Sequence, residues 1–177
     1  MFGRDGAVSF SRTQPPPTNR AHCAPKRKPM ILPVSANLKE IEEKGRSYPW
    51  VRPEICLSCR QSHVWGHGFV KSLFDGYAEA LLLRRYQCPL CRGVIKLRPK
   101  EYFRRFQASK GTIRSHILRR LHGGRWPRGL SNARCRHWLR ALKRQVVAYL
   151  GIAWLSQLPE AFDRLVSMGK VPVSRSI

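Results

Sequence analysis

Apolar residues in the second half of the chain recur at three- and four-residue intervals, which is the spacing of one face of an α-helix. One predicted helix begins at Ser109 or Thr112 and runs to about Leu121, before the glycine pair at 123–124. A second predicted helix begins after Ser131, a residue type that often caps helices. Its predicted buried face consists of Cys135, Trp138, Leu139, Leu142, Val146 and Tyr149.

The helical pattern continues toward the end of the chain. Residues 152–158 and 159–166 are both predicted as helical, with Pro159 in the first turn of the last helix. The terminal segment over residues 169–177 is predicted to be a frayed tail, as chain termini often are.

The middle of the chain has short apolar segments that are typical of strands. Residues 63–70 and 78–87 flank the dipeptide Asp75-Gly76, which favours a tight turn between two paired strands. Residues 94–97 form a third predicted strand. The pattern therefore predicts a hairpin followed by one more strand.

The first part of the chain carries little periodic signal. Residues 1–29 are predicted to be a disordered basic tail, because they have few apolar residues to offset the entropy of ordering. The true start could also be Met30. Residues 30–55 are predicted to be a short helix over 37–44, which ends at Gly45, and an extended linker.

Four of the six cysteines form two Cys-x-x-Cys pairs separated by 28 residues. These are Cys56 with Cys59 and Cys88 with Cys91, a spacing typical of a four-cysteine zinc site. Four thiolates complete a tetrahedron and leave no open position, so such a site is structural. We predict one structural Zn²⁺, with a disulfide pair or unrelated cysteines as the alternatives.

The two nearby histidines and the two remaining cysteines are not part of this predicted site. His63 and His67 lie near the first cysteine pair and could be ligands, but the four cysteines already complete the coordination shell. Cys135 is predicted to be a buried core thiol. No function is predicted for Cys23.

The predicted fold class is small α+β. A zinc-ribbon β module over residues 56–99 is followed by a basic all-α module over residues 100–168. A sheet this small buries little apolar area, so the metal would contribute to its folding. The two central helices could be a helix-turn-helix variant, although the loop over 123–131 is long for that motif.

Charge points to a polyanionic partner. Lys and Arg number 34 against 10 acidic residues, which gives a formal net charge of +24. No acidic residue occurs between Tyr102 and Pro159, and thirteen Lys or Arg lie between Tyr102 and Arg144. Nucleic acid is the commonest partner for such a surface, and an anionic membrane is the alternative. Paired thiols and the lack of a long apolar segment predict a reducing, cytoplasmic, nucleoid-associated location and no transmembrane segment.

Three further motifs accompany the cysteine pairs. They are His67-Gly68-Phe69, Arg84-Arg85-Tyr86-Gln87-Cys88-Pro89-Leu90-Cys91 and Leu97-Arg98-Pro99. Together with the first cysteine pair they resemble the N-terminal zinc ribbons of bacterial insertion-sequence transposases. Residues 30–144 also resemble small proteins carried with mobile elements. The resemblance implies a DNA-recognition module, with a separate transposase as a candidate partner.

The sequence also departs from that family. Arg60 and Arg92 follow the second cysteine of each pair, where glycine is common because the backbone turns left-handed there. Beyond the ribbon the only acidic residues are Glu101, Glu160 and Asp163, and the chain is too short for the nuclease-like domain in which such transposases spread their catalytic carboxylates. The chain resembles the recognition part without the catalytic part, and we predict that it is not an enzyme.

The predicted function is therefore DNA binding by a zinc-ribbon protein associated with a mobile element. An RNA-binding or ribosome-associated zinc ribbon is the alternative. The predicted phosphate contacts are Arg104, Arg105, Arg114, Arg119, Arg120, Arg136, Arg140 and Arg144. Trp126 could stack on a base or hold its loop against the core, and the second interpretation is favoured.

Overall fold

Four strands form one mixed sheet in the computed structural model, which describes residues 30–60, 63–126 and 128–175. The strands are β1 (Met30–Val34), β2 (Trp65–Ser72), β3 (Leu81–Gln87) and β4 (Val94–Pro99). Their order across the sheet is β1-β4-β3-β2. The predicted disordered tail over 1–29 lies outside the described residues.

The first strand is a feature that sequence reasoning missed. Residues 30–55 were expected to contain only a helix and a linker, but β1 pairs in parallel with β4, from Met30 beside Ile95 to Val34 beside Pro99. Pro33 lacks an N–H, which an edge strand tolerates. The sequence pattern does not reveal this strand, because the pairing joins segments more than sixty residues apart and local patterns report only local structure.

The predicted hairpin is present, with β2 two residues later than predicted and β3 beginning three residues later but ending at Gln87 as predicted. The predicted tight turn is instead a longer connection over residues 73–80. β2 pairs antiparallel with β3, from Trp65 beside Gln87 to Ser72 beside Leu81. Gly76 in the turn has φ +90°, a conformation that glycine adopts readily. Because Gln87 directly precedes Cys88, one end of the sheet lies at the cysteines and the other end at the hairpin turn.

Four α-helices accompany the sheet. They are α1 (Leu38–Lys44), α2 (Lys110–Gly123), α3 (Asn132–Tyr149) and α4 (Leu158–Ser167). Ser109 and Ser131 cap α2 and α3 as predicted, each accepting a hydrogen bond from the backbone N–H three residues later. The predicted helix over 152–158 is instead a short 3-10 helix, Ile152–Ser156. Gly45 ends α1 as predicted: it caps the helix with φ +53° and donates its N–H to the Ile41 carbonyl oxygen, and a 3-10 turn follows over Gly45–Ser47.

The predicted frayed tail is wrong for residues 171–174. Val173 is only 1% exposed and belongs to the core formed by α2, α3 and α4, while Pro172 is also buried. The buried Gln145 of α3 donates a hydrogen bond from Nε2 to the Ser174 carbonyl oxygen, at 3.3 Å. Two apolar residues are too few to produce a periodic pattern, so the sequence gives no signal of this packing.

The hairpin end of the sheet contacts the helical part of the chain. Arg98 on β4 is 6% exposed, and its guanidinium donates to the carbonyl oxygens of Phe103 and Phe106. The Arg134 guanidinium of α3 pairs with the carboxylate of Asp75 in the hairpin turn, at 3.0 Å. These contacts fix the sheet and the helices relative to each other.

We expect Arg98→Met to lower the free energy of unfolding by about 2 kcal/mol, because two carbonyl oxygens at the junction lose their donor. Arg104→Met is the control, since Arg104 is exposed and its loss should change stability by less than about 0.5 kcal/mol. Urea unfolding of both variants measures the difference. Equal stability of the two variants would contradict this role of Arg98.

Candidate metal centre and basic groove

The four paired cysteines come together at one end of the sheet. Their four sulfurs lie within 4.8 Å of one another, with 3.6 Å between Cys56 and Cys91 and 3.5 Å between Cys59 and Cys88. Tetrahedral Zn²⁺ with Zn–S bonds of about 2.3 Å would hold its sulfurs about 3.8 Å apart. All four are free thiols. The predicted cluster is confirmed as a site that could hold one metal ion, and zinc remains the predicted metal.

The local backbone favours the thiolate form that a metal requires. Burial raises the pKa of the Cys56 thiol, but the N–H groups of Cys59 and Ser58 and the Cys91 thiol together lower that pKa to about 7. The backbone N–H of Cys91 likewise lowers the pKa of Cys88. Each Cys-x-x-Cys turn therefore directs its own N–H groups at a sulfur.

The two histidines near the first cysteine pair do not join the cluster. Among the described residues, the group that could hold a metal here consists of cysteines alone. His63 and His67 are both exposed. The four-thiol site is therefore complete without a nitrogen ligand.

Both cysteine turns keep a left-handed backbone despite their lack of glycine. Arg60 has φ +61° and Arg92 has φ +56°, so each arginine adopts the conformation that glycine would adopt at lower cost. A left-handed residue other than glycine costs about 1 kcal/mol. The two turns thus have the same bend at equivalent positions, which accounts for the convergence of the sulfurs.

The apolar residues beside the cysteines form a small core of their own. It contains Val64, Tyr86, Ile95 and Leu97 together with the buried Cys56 and Cys88. Helices α2, α3 and α4 are organised around a separate and larger core, whereas α1 packs on the sheet through Leu38 and Ile41. Metal binding should therefore act mainly on the sheet.

A second candidate site is a groove that follows α3. Four concavities lie in series, because each shares lining residues with the next: Arg125 and Trp126, then Arg140, then His137 and Arg175. We call this surface the basic groove. Its ten positive side chains are Arg104, Arg105, Arg119, Arg120, Arg125, Arg136, Arg140, Lys143, Arg144 and Arg175.

The groove arises from the helical spacing of α3. Its buried stripe includes Cys135, Trp138, Leu142 and Val146, which pack in the helical core. The basic residues at 136, 140, 143 and 144 recur at the same three- and four-residue spacing and so occupy an adjacent stripe. Among the described residues that line the groove there is no carboxylate. The positive charges are therefore not neutralised within the groove.

Seven of the eight predicted phosphate contacts line the basic groove. The exception is Arg114, whose Nε and terminal nitrogen donate to both carboxylate oxygens of Asp163 on α4, at 2.8 and 2.6 Å. Sequence reasoning missed Arg125, Lys143 and Arg175. Lys143 follows the α3 spacing and could have been found, whereas Arg175 depends on a terminal segment that was expected to be frayed.

Of the two histidines that line the groove in the described structure, His122 and His137, the second lies among Arg140, Arg144 and Arg175. His137 Nε2 accepts a hydrogen bond from Arg175 Nε at 3.4 Å. Burial lowers the pKa of His137, and the neighbouring charges of Arg175, Arg140 and Arg144 lower it further. The neutral imidazole is therefore favoured while no anion is bound.

Trp126 packs against the core, as favoured from the sequence, and it also lines the groove. Its half-buried indole packs against the helical core, which holds the loop between α2 and α3 in place. It also lines two adjoining concavities of the basic groove. The Arg120 guanidinium carbon lies 5.6 Å from the ring centroid. The residue thus contributes to both the core and the candidate binding surface.

Comparison of the chain with protein-family models, curated proteins and solved structures finds no match. The likeness to transposase zinc ribbons therefore rests on the motifs alone. In the part of the chain that the structure describes, no helix has the length and apolar character needed to cross a membrane.

We expect Cys88→Ser to reduce bound metal from about one ion per chain to a small fraction, because a closed site loses one of four ligands. The sheet should lose stability at the same time. Elemental analysis of the purified variant measures the metal. Cys135→Ser is the matched control, since Cys135 is a buried thiol of the helical core and should leave metal content unchanged. Full metal content in Cys88→Ser would refute the assignment.

Proposed function

We propose that this chain is a nucleic-acid-binding protein in which a structural zinc stabilises the sheet and the basic groove binds the phosphate backbone. The observation that carries the proposal is the groove itself, with ten positive side chains and no carboxylate among its described lining residues. Arginine predominates there, and its planar fork matches phosphate oxygens.

The length of the groove suits several phosphates in a row. Along α3 alone, residues 132–144 span about 18 Å at a rise of about 1.5 Å per residue. One strand of duplex DNA carries a phosphate about every 3.4 Å of its helix axis, so a stretch of this length aligned with that axis would cover about five phosphates. Binding should therefore be strongly electrostatic and sensitive to salt.

Duplex DNA is the proposed target, and a mobile element with a separate transposase is the proposed context. Both rest on the motifs that resemble transposase zinc ribbons. RNA is the second candidate, supported by the concave pocket at Trp126, because proteins often bind the unpaired bases of RNA by stacking them on aromatic side chains. No catalytic role is proposed, because neither site presents an open metal position or a nucleophile paired with a base.

We expect the logarithm of affinity for duplex DNA to fall with the logarithm of salt concentration with a slope of about −4.5, the value for about five neutralised phosphates. Titration at several salt concentrations measures the slope. Arg140→Ala should reduce its magnitude by about one and weaken all sequences alike.

The matched control is Arg114→Ala, because Arg114 is ion-paired with Asp163 outside the groove. That variant should keep the slope of the unmodified protein. Equal slopes in Arg140→Ala and the unmodified protein would contradict phosphate binding at the groove. Selection from a random DNA pool then distinguishes sequence-specific recognition from general polyanion binding.

We also expect binding to be linked to the protonation of His137. A phosphate oxygen nearby would raise the pKa that burial and the arginines lower, so binding would take up a proton. Affinity should therefore fall as the pH rises from below the lowered pKa of the free protein to above the pKa of the complex, by up to about tenfold for each unit between the two. His137→Gln should flatten this dependence, whereas His67→Gln should not, because His67 lies on β2 and lines none of the described concavities of the groove. An unchanged profile in His137→Gln would refute the linkage.

A further inference from the structure

The largest concavity of the basic groove differs in chemistry from the rest. It has a volume of about 740 Å³ and lies where the loop after α2 meets the start of α3. Its lining combines the Trp126 ring and the Leu139 side chain with the amide of Asn132. Four guanidinium groups surround these residues: Arg120, Arg125, Arg136 and Arg140. We call this concavity the Trp126 pocket.

We propose that the Trp126 pocket binds the base of an unpaired nucleotide while the rest of the groove binds the phosphates on one side of it. The inference rests on the proposed function, because it names the form of nucleic acid that the same groove recognises. It predicts a preference for a bulge or a single strand over a fully paired duplex.

The components of the pocket match the parts of a nucleotide. An indole ring offers a stacking surface that any base can use, and Leu139 supplies an apolar wall. The Asn132 amide can both donate and accept hydrogen bonds at a base edge. The surrounding guanidinium groups can bind the phosphates on either side of that base.

The size of the pocket also suits a single nucleotide. A volume of about 740 Å³ falls within the range of about 300–1,000 Å³ that is usual for small-molecule sites, so one nucleotide fits with space for water. The pocket shares Arg140 with the next concavity along α3. A strand could therefore insert one base and continue along the helix.

Trp126 is positioned to discriminate between paired and unpaired bases. Its loop is held by core packing, so the ring has little freedom to lose when it stacks on a base. Bases inside a duplex are already stacked on their neighbours and cannot enter a pocket without being extruded. The cost of extrusion is small for a bulged nucleotide and large for a paired one. The same groove would therefore bind both forms but bind the bulged one more tightly.

The test compares three DNA duplexes at one salt concentration: one with a one-nucleotide bulge, one with the same bulge without its base, and one that is fully paired. The first two carry the same number of phosphates, and the paired duplex carries one fewer. Stacking of one base on an aromatic ring corresponds to about fivefold to a hundredfold in affinity. We expect the bulged duplex to bind more tightly than the other two by a factor in that range. Equal affinity for all three would overturn the inference and leave the phosphate-binding function intact.

Substitutions of Trp126 test whether the preference for the bulge arises at the Trp126 pocket. Trp126→Leu should lose the preference for the bulge but keep the salt slope, while Trp126→Phe should keep part of the preference because a smaller ring still stacks. Trp65→Leu is the matched control, since Trp65 is 62% exposed at the metal end of the sheet and lines none of the described concavities of the groove. Loss of the preference in Trp65→Leu alone would overturn the assignment to the Trp126 pocket.

The outcome that overturns the proposed function differs from the outcome that overturns this inference alone. Failure of every oligonucleotide to bind would overturn both the proposed function and this inference. If Trp126→Leu does not fold, as judged by circular dichroism, Trp126→Phe and the comparison of bulges with and without a base still decide, because that comparison uses the unmodified protein.

Discussion

The packing of α3 against the helical core is the interaction on which the basic groove depends. Buried residues such as Trp138, Leu142 and Val146 fix the rotation of the helix about its axis. Each buried apolar side chain of this size stabilises the fold by about 1.5–3 kcal/mol. The same rotation brings Arg136, Arg140 and Arg144, at successive four-residue intervals, into the groove.

The neighbouring arginines of α3 repel one another, which lowers the stability of the free protein. Pairs of like charge four residues apart on a helix destabilise it by about 0.2–0.5 kcal/mol each. In the described structure, the carboxylates that could relieve the repulsion lie elsewhere: Asp163 pairs with Arg114 and Asp75 pairs with Arg134. The core offsets the repulsion in the free protein, and a bound polyanion would remove it. The groove is therefore a surface whose own electrostatics favour an anionic ligand.

The metal centre is connected to α3 through the sheet. The cysteines are at the end of the sheet where Trp65 pairs with Gln87, and the hairpin turn at the other end contacts α3 through Asp75. Buried Arg98 adds hydrogen bonds across this junction. Zinc at the first end would hold the sheet together, and the junction would transmit that rigidity to the helices. Exposed arginines beside the metal, Arg60 and Arg92, would then be held at a fixed distance from the groove.

Local signals predicted the parts of this molecule that local chemistry determines. The cysteine spacing identified the cluster, and Ser109 and Ser131 marked the starts of two helices, because each depends on residues only a few positions apart. The parallel pairing of β1 with β4 and the burial of Val173 depend on contacts between distant segments, and no short pattern encodes them. Seven arginines of the groove were predicted individually, but the sequence did not show that they line one surface. Its composition shows only when α2, the loop at Trp126, α3 and the terminal segment are brought together.

The most direct test of the account is an NMR titration that follows the Nε–H resonances of the arginines as a DNA oligonucleotide is added. We expect signals from Arg120, Arg136 and Arg140 to shift with the same dissociation constant, since all three line the basic groove. The Nε–H resonances of Arg98 and Arg114, which already donate to protein oxygens, should stay in place. Shifts at Arg114 with none along α3 would contradict the central claim that this groove binds nucleic acid.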